Sequence, residues 1–304
     1  MKPKVLVADK THGDAVKELK KHVDVDIDFE ITPEDLVKRI HEYDGIIVRS
    51  RSKVTKDVIE AGKKLKVIAR AGVGLDNVDV EAAKARGIQV YNAPESLTIS
   101  VAELTICLMI AVSRCIGFAH RTMGEGKWEK KKCMGMELYG KTLGLIGFGR
   151  IGREVAMRAH AMGMKIIAYD PALTIEDMRE YNAELVEVDD LLKRSDIVSL
   201  HIPANEKTKG FMSRERIALM KKTAFLVNTS RGTVVDEKAL IDALKNCVIR
   251  GAALDVYEKE PLEASELSKL DNVVLTPHIG SATEDAQRTA GMIVAEKVNA
   301  FFSK

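Results

Sequence analysis

The sequence predicts an α/β protein of two domains, each built on a parallel β-sheet covered by helices. The length of 304 residues suits two domains of ordinary size. Short apolar runs alternate with amphipathic stretches along the chain, and this alternation occurs as two separate series. The apolar runs are nearly continuous, as expected of strands that are buried on both faces.

The two series of strands predict the domain boundaries. The first series has five strands, at 4–9, 23–27, 45–50, 65–72 and 88–94. The second follows an apolar helix at about 98–118 and has six strands, at 142–149, 165–171, 196–203, 224–230, 251–257 and 272–278. One long helix then ends the chain. We expect this helix to return to the first domain, which gives one domain of 1–96 plus 284–304 and an inserted domain of 97–283.

Composition excludes several classes of function. The formal net charge of +2 creates no global field that would favour nucleic acid. The longest apolar stretch, Leu104–Val112, is too short to cross a bilayer. The four cysteines lack the spacing of metal ligands and suit a reducing compartment. The chain begins directly with a strand pattern, so we expect a cytoplasmic protein. Because the cysteines lack metal-ligand spacing, we also expect no bound metal.

A glycine motif opens the second series. Gly147, Gly149 and Gly152 form G-x-G-x-x-G together with Arg150 and Ile151, between a predicted strand and a predicted helix. Such glycines allow a tight turn, close approach of a pyrophosphate and close packing of helix on strand. Asp170 ends the next strand, 18 residues after Gly152, where an acid accepts from ribose hydroxyls and repels a 2′-phosphate. The motif predicts a Rossmann-like domain that binds NAD; a ligand-free structural turn is the alternative.

Three polar residues follow later strands of the second series. Arg231, Glu260 and His278 would all face the edge of the sheet where ligands gather in such folds. Oxidation of an alcohol by hydride transfer needs a base, for which His278 is suited, and a carboxylate such as Glu260 would fix its tautomer. Arg231 offers two donors to a substrate carboxylate. The structural alternatives are a hydrogen-bonded corner for His278, a solvated loop acid for Glu260 and a clamp for Arg231.

Further residues at the same strand ends are expected to line the cofactor site. Asp255 would hold the amide side of the cofactor or cap a turn, and the segment after residue 200 would contribute its backbone. Together with Arg231 and His278, the predicted cofactor residues are His201, Ile202, Pro203, Thr229, Ser230, Asp255, Gly280 and Ser281.

The chain resembles the D-isomer-specific 2-hydroxyacid dehydrogenase family over nearly its whole length. The glycine loop, "NTSRGTVVDEKAL", "GAALDVYEKEP" and "TPHIGSAT" match successive family signatures in order. The resemblance implies two Rossmann-like domains, with the cofactor domain inserted into a flavodoxin-like substrate domain. It also implies that Arg231, Glu260 and His278 are the catalytic residues. The chain ends soon after the last signature, so we expect no regulatory domain beyond the closing helix.

Within the family, the resemblance is carried further by "VRSRSKVT", "ARAGVGLDNVD", "GKWEKKKCMGMELYGKTLG" and "GREVAMRAHAMGMK". This resemblance implies oxidation of 3-phospho-D-glycerate, the first step of phosphorylated serine synthesis. A phosphorylated 2-hydroxy acid needs cations besides the carboxylate clamp, for which Arg49 and Arg70 are suited. Arg51 and Lys130–Lys132 are further candidates, and the backbone of Gly72, Val73 and Gly74 would hold the carboxylate. Reduction of hydroxypyruvate or glyoxylate is the nearest alternative, and an NAD-sensing corepressor or scaffold is a remote one.

The apolar helix and the segment after it predict a homodimer. The stretch 100–120 is apolar over more of its circumference than a surface helix needs. The arm that follows, Met123–Tyr139, has too few apolar residues for a core of its own. A partner subunit would cover both. Burial of the helix between the two domains is the alternative.

Overall fold

The computed structural model describes residues 2–303, which separate into two compact units. The first unit contains the residues up to 98 and those from 281 onward, and the second contains 99–280. Each unit has its own sheet, in which every strand pairs in parallel with its neighbours. The prediction of an α/β protein with two parallel sheets is therefore confirmed.

The first unit has a five-stranded sheet in the order β2-β1-β3-β4-β5, which is the flavodoxin-like order. Its strands are β1 (Lys4–Val7), β2 (Asp24–Ile27), β3 (Gly45–Val48), β4 (Val67–Arg70) and β5 (Gln89–Asn92). Its first four helices are α1 (Gly13–Leu19), α2 (Pro33–Arg39), α3 (Lys56–Ala61) and α4 (Val80–Ala85). Capping residues define where these short helices begin: the side chain of Thr32 accepts from the N–H of Asp35, and that of Asp79 accepts from the N–H of Ala82.

The last helix of the chain, Glu284–Phe302, completes the first unit. It begins at the N-cap Thr283, whose side chain accepts from the N–H of Ala286. Its face of Ala290, Val294 and Val298 joins the core formed by β1, β4 and helix α1. The approach to α1 is close, since a Cβ on Gly291 would lie 2.9 Å from the Cβ of Ala15.

The second unit has a seven-stranded sheet in the order β12-β11-β10-β9-β6-β7-β8. The chain crosses over from β8 to β9, which lies on the other side of β6, and this is the doubly wound order of dinucleotide-binding domains. Its strands are β6 (Thr142–Ile146), β7 (Lys165–Tyr169), β8 (Ala183–Leu185), β9 (Ile197–Leu200), β10 (Phe225–Asn228), β11 (Gly251–Leu254) and β12 (Val273–Leu275). The sequence predicted six of these strands and missed β8. That strand is three residues long and carries the exposed Glu184 at its centre, and among the described strands it pairs only with β7.

Helices cover both faces of the second sheet. They are α5 (Thr98–Ser113), which begins at the boundary of the units, α6 (Ile116–Gly124), α7 (Arg150–Ala161), α8 (Ile175–Arg179), α9 (Val188–Arg194), α10 (Arg214–Leu219) and α11 (Glu237–Lys245). The helix Glu284–Phe302 is α12. One core forms around α9–α11, and another forms around α5, α7 and the buried ring of Phe148.

The apolar helix expected at about 98–118 is broken in the structure. Helix α5 ends at Ser113, and Cys115 takes the left-handed conformation (φ 55°) before α6 begins. The carbonyl of Ser113 accepts the N–H of Met136 at 2.8 Å, so the arm occupies the end of α5. Among residues 2–303, no single helix is long and apolar enough to cross a membrane; α5 and α6 pass that test only as a pair, across a bend of 67°.

Candidate active site

The glycine motif forms the turn between β6 and α7. Gly147 has φ +93°, and a Cβ there would lie 2.6 Å from the carbonyl oxygen of His201. A Cβ on Gly152 would lie 2.4 Å from the carbonyl oxygen of Gly147, so the helix packs directly on the turn. Gly149 is the N-cap of α7, and a Cβ there would meet nothing within 4 Å. Gly147 and Gly152 therefore allow tight packing. Gly149 keeps space open at the N-terminus of α7, where the first N–H groups of a helix can bind an anion.

Asp170 lies beside this turn, directly after β7. One carboxylate oxygen accepts from the N–H of Phe148 at 2.9 Å, and the other accepts from the N–H of Ala172 at 3.0 Å. The acid is thereby fixed next to the glycine loop, and each oxygen keeps a lone pair for a further donor. The residues present thus fit NAD, since the open N-terminus of α7 and a fixed ribose acceptor occur together. Arg150 and Ile151 form the first turn of α7.

His201, directly after β9, contributes its backbone to this region. Its carbonyl oxygen packs against Gly147, while Nε2 of its ring lies 2.9 Å from the hydroxyl oxygen of the fully buried Ser199. Burial lowers the pKa of His201 to about 4, so the ring is neutral at pH 7. The Ile202 side chain also lies against Gly147, and the carbonyl of Pro203 accepts from the hydroxyl of Thr208 at 2.5 Å.

The loop after β10 is shaped by Asn228, a residue that the sequence reasoning missed. Its side-chain oxygen accepts from both the N–H and the hydroxyl of Ser230, and its NH₂ group donates to the carbonyl of Arg231 at 2.9 Å. The hydroxyl oxygens of Thr229 and Thr105 lie 2.8 Å apart. The signal for Asn228 was present, because an Asn two residues before a Ser commonly forms an Asx turn. This turn sets the direction in which the half-buried Arg231 leaves the strand end.

His278 and Glu260 form a direct pair in the second unit. Nδ1 of His278 lies 2.7 Å from Oε2 of Glu260, and the two side chains are 48% and 35% exposed. A carboxylate at Nδ1 retains the proton there, which leaves Nε2 as the acceptor. His278 has φ +53°, a conformation that is uncommon for a residue with a Cβ. A neutral imidazole held in this way can take a proton from an alcohol.

Asp255 anchors the loop that carries His278. Its carboxylate is 1% exposed and accepts from the hydroxyl of Thr276 at 2.6 Å, from the N–H of Ile279 at 2.8 Å and from the N–H of Gly280 at 2.9 Å. The carbonyl of Gly280 in turn accepts from the hydroxyl of Ser100 at 2.6 Å. Thr276 was missed from the sequence, although it is a polar residue at a strand end like those chosen. Gly280 is the last residue of the second unit, and the predicted cofactor residue Ser281 is the first of the returning segment.

The residues predicted to bind substrate form a separate group in the first unit. The Arg70 side chain donates to the carbonyl of Arg49 at 3.1 Å and also donates to the carbonyl of Gly74, so it holds the loop 71–74 in place. The N–H of Gly72 donates to the carbonyl of Arg70 at 2.8 Å, and the carbonyl of Val73 accepts from the side chain of Asn92 at 2.6 Å. Within the described residues 2–303, the guanidinium of Arg49 makes one long contact, to the carbonyl of Lys10 at 3.4 Å. Of the three predicted arginines of this unit, Arg49 is therefore less committed to the fold than Arg51 and Arg70.

Arg51 and the lysine run have other surroundings. Arg51 donates to the carbonyls of Ile31 and Ala8 at 3.0 and 2.7 Å and lies 3.3 Å from the buried carboxylate of Asp9, so it stabilises the loop after β3. Lys130–Lys132 form a short 3₁₀ turn in the arm. Lys132 lines a cavity of about 320 Å³ together with Arg250 and Asp271, and this lining includes no other predicted site residue.

Comparison with known proteins covers both units. Residues 106–280 match the family described as D-isomer specific 2-hydroxyacid dehydrogenase, NAD binding domain. The D-3-phosphoglycerate dehydrogenase of Methanocaldococcus jannaschii is 52% identical over 296 residues, which are 97% of this chain and 56% of that protein. The hydroxypyruvate reductase of Thermotoga maritima is 52% identical over 268 residues, 87% of either chain. This chain thus spans about half the length of the curated D-3-phosphoglycerate dehydrogenases that it matches.

A solved structure supports the same relationship. The D-lactate dehydrogenase of Aquifex aeolicus, solved with NAD and lactic acid, aligns with a TM-score of 0.84 and 30% identity. The alignment covers 99% of this chain and 95% of that one.

Proposed function

Because this chain belongs to the D-isomer-specific 2-hydroxyacid dehydrogenase family, we propose that it oxidises 3-phospho-D-glycerate to 3-phosphohydroxypyruvate with NAD. The observation that carries the chemistry is the contact of 2.7 Å between His278 and Glu260 at the edge of the dinucleotide-binding sheet. The choice of substrate is supported by 52% identity to a D-3-phosphoglycerate dehydrogenase over 97% of this chain.

The mechanism assigns one role to each of the three residues. Nε2 of His278 accepts the proton of the substrate hydroxyl. Glu260, which lies at Nδ1 on the other side of the ring, stabilises the imidazolium that results. Arg231 binds the carboxylate and polarises the carbonyl that develops at the neighbouring carbon. Bound NAD supplies the acceptor for the hydride that leaves this carbon. In the reverse direction His278 returns its proton to the carbonyl oxygen.

The cofactor site in this proposal is the end of the second sheet around the glycine turn. The N-terminus of α7 would hold the pyrophosphate, and Asp170 would accept from the ribose hydroxyls. Asp255 acts in the proposal by fixing the His278 loop, because its carboxylate oxygens are already occupied by three donors of that loop. We propose that 97–283 is the cofactor domain and that 1–96 with 284–304 is the substrate domain.

The substrate phosphate is assigned to Arg49. In the part of the chain that the structure describes, its guanidinium makes only the long contact to Lys10, whereas Arg51 is held by two carbonyls and Asp9. The loop 71–74 would bind the carboxylate through backbone N–H groups. Among the described residues, no protein acceptor lies within hydrogen-bond reach of the N–H groups of Val73 and Gly74, which supports that role.

Reduction of hydroxypyruvate is the second candidate function. The hydroxypyruvate reductase of Thermotoga maritima is as similar as the dehydrogenase of Methanocaldococcus jannaschii and matches over 87% of its own length. An unphosphorylated substrate would have no use for Arg49. An NAD-sensing corepressor or scaffold is disfavoured, because a sensor needs no base aligned by a carboxylate.

The proposed function is tested by following the absorbance of NADH while the protein is supplied with each of a series of 2-hydroxy and 2-oxo acids as substrate. We expect turnover of 3-phospho-D-glycerate with a higher kcat/KM than that of D-glycerate, and little turnover with NADP. Preference for hydroxypyruvate over its phosphorylated form would select the second candidate. Absence of turnover with every acid would refute both.

We also propose a homodimer that forms through α5, α6 and the arm. Among residues 2–303, seven of the twelve exposed large apolar side chains lie between residues 99 and 139, among them Ile116 at 51%, Trp128 at 79% and Met134 at 78%. This concentration of exposed apolar side chains in one segment supports an interface between chains there. A cytoplasmic location and the absence of nucleic-acid and membrane partners remain predictions.

Light scattering at micromolar concentration tests the dimer. We expect the mass of two chains for the wild type and a shift towards one chain for Trp128→Glu. Ile175→Glu is the matched control, because Ile175 is 63% exposed but lies outside the segment 99–139. A monomer mass for the wild type would refute the dimer.

A further inference from the structure

Gly232, which directly follows Arg231, is in unusually close contact with a neighbouring loop. A Cβ added to Gly232 would lie 1.8 Å from the carbonyl oxygen of Tyr257 and 1.9 Å from its carbonyl carbon. The nitrogen of Glu258 would be 2.6 Å away. These are backbone atoms, so no rotation of a side chain could make room. The backbone next to Arg231 therefore lies directly against the loop 257–260.

Tyr257 connects this contact to the other two catalytic residues. Its N–H donates to Oε1 of Glu260 at 3.2 Å, while Oε2 of the same carboxylate lies 2.7 Å from Nδ1 of His278. Its hydroxyl donates to the carbonyl of Thr276 at 2.8 Å, two residues before His278. One residue thus contacts Gly232, Glu260 and the strand end that leads to His278.

The loop has little freedom to adjust if Gly232 acquires a side chain. Tyr257 is 7% exposed, and burial raises the pKa of its hydroxyl to about 12, so the hydroxyl remains a donor at every pH of interest. The N–H of Glu258 donates to the carboxylate of Glu237 at 3.1 Å, which ties the loop to α11. A displacement at Gly232 must therefore move the segment that holds the Glu260 carboxylate.

We infer that Gly232 is a positioning residue, which sets the placement of Glu260 and His278 relative to Arg231 through its contact with Tyr257. The inference rests on the proposed function, because it assumes that these three residues act on one substrate. Gly232 itself touches neither substrate nor cofactor in this role. What it determines is how closely the loop 257–260 approaches the Arg231 backbone.

The substitution Gly232→Ala tests this role, with Gly251→Ala as the matched control. Gly251 lies in β11, where a Cβ would be 2.5 Å from the carbonyl oxygen of Asn272, so both variants place a methyl group against backbone. We expect both to lose thermal stability. Only Gly232→Ala should lower kcat by about 10–100-fold, the loss that a displacement of roughly 1 Å can cause. The acid limb of its pH–rate profile should also move to lower pH, because the imidazolium loses its carboxylate neighbour.

A second readout does not depend on turnover. The ¹⁵N chemical shifts of the His278 ring report which nitrogen carries the proton, and in the wild type the proton should be at Nδ1. In Gly232→Ala we expect the Nε2–H form to become populated, whereas Gly251→Ala should retain the wild-type spectrum. A wild type without turnover would refute the proposed function, but these shifts would still test the positioning of His278.

The inference is overturned if Gly232→Ala keeps the wild-type ¹⁵N shifts and pH profile and loses no more kcat than Gly251→Ala. If Gly232→Ala does not fold, Tyr257→Phe tests the same connection from its other end, because it removes the hydroxyl bond to Thr276. We then expect a smaller change of the same sign in both readouts. Wild-type readouts in Tyr257→Phe would equally overturn the inference.

Discussion

The backbone N–H of His278 donates to the carbonyl oxygen of Asp255 at 2.9 Å, across the ends of two neighbouring strands. The carboxylate of the same aspartate accepts from the next two backbone N–H groups, those of Ile279 and Gly280. Asp255 thus holds three consecutive residues of the loop, and the uncommon backbone conformation of His278 lies within the segment that it holds.

Substitution of Asp255 by Asn should therefore damage both the fold and the reaction. The Asn side chain has one acceptor oxygen, whereas both oxygens of the Asp255 carboxylate accept hydrogen bonds. The NH₂ group of Asn would therefore face an N–H or O–H donor that binds the carboxylate in the wild type. We expect a loss of about 1–3 kcal/mol in the free energy of unfolding, measured with urea, together with a lower kcat. Asp236→Asn is the control, because Asp236 caps α11 and Asn is an equally good cap. Equal stability of Asp255→Asn and wild type would contradict the anchoring role.

The catalytic pair should respond differently to loss of either member. His278→Ala should lower kcat by about 10²–10⁴-fold and leave NADH binding, measured by fluorescence, nearly unchanged. Glu260→Gln should retain part of the activity, with the acid limb of the pH–rate profile moved to lower pH. Glu263→Gln is the control, since Glu263 lies near Glu260 in sequence and pairs with Lys259 at 2.8 Å. A wild-type profile in Glu260→Gln would show that the carboxylate does not act on the imidazole.

Arg49 should distinguish substrates by their phosphate. Arg49→Ala should raise KM for 3-phospho-D-glycerate by about 10–100-fold, the equivalent of one hydrogen bond to a charged group, and barely change turnover of D-glycerate. Arg51→Ala should instead lower stability and affect both substrates alike, because it removes the bonds to Ile31 and Ala8. An equal loss on both substrates in Arg49→Ala would remove the main physical support for a phosphorylated substrate.

His201 should make stability depend on pH in a defined range. Its pKa is about 4 in the folded protein, while an imidazole in an unfolded chain titrates near 6.5. Between these values the unfolded chain binds more protons, so the free energy of unfolding falls as the pH falls from about 6.5 to 4 and is fully restored above that range. His201→Gln should remove up to roughly 2–3 kcal/mol of this dependence.

Urea unfolding at pH 7.5 and pH 5 measures the effect of His201 as a difference between variant and wild type. The control is His160→Gln, which removes an exposed histidine of α7. If wild type and His201→Gln lose the same stability between the two pH values, His201 takes up its proton in the folded state and the prediction is wrong.

The central strands of each sheet were predictable because they are buried on both faces. Runs such as Gly45–Val48 and Ile197–Leu200 are apolar at nearly every position, which few other structures tolerate. Strand β8 lacks this signal, because it is three residues long and has an exposed Glu at its centre. Among the described strands it pairs only with β7, so it lies at the edge of the sheet. The break at Cys115 was equally hidden, since it depends on contact with the distant arm.

For the candidate site, the sequence suggested side chains that could carry the chemistry, but it did not reveal the contacts that hold them. Arg231, Glu260 and His278 were chosen because polar residues at strand ends of this fold face one edge. The supporting residues Asn228 and Thr276 are polar side chains that the sequence reasoning missed. Gly232 acts through a close backbone contact that the sequence does not reveal. Arg51 shows the converse: a cation of suitable type and position, it stabilises a loop by bonding to buried carbonyls.

The return of α12 to the first unit constrains the order in which the protein can mature on the ribosome. Residues 2–98 are translated before the second unit, yet the face of α1 that carries Ala15 and Leu19 is covered by α12, which is translated after it. Throughout synthesis of the second unit, the nascent first unit must expose this apolar face. The second unit has no such dependence, because its sheet is complete once Leu275 has been added. The inserted unit is therefore able to fold before the first unit is complete.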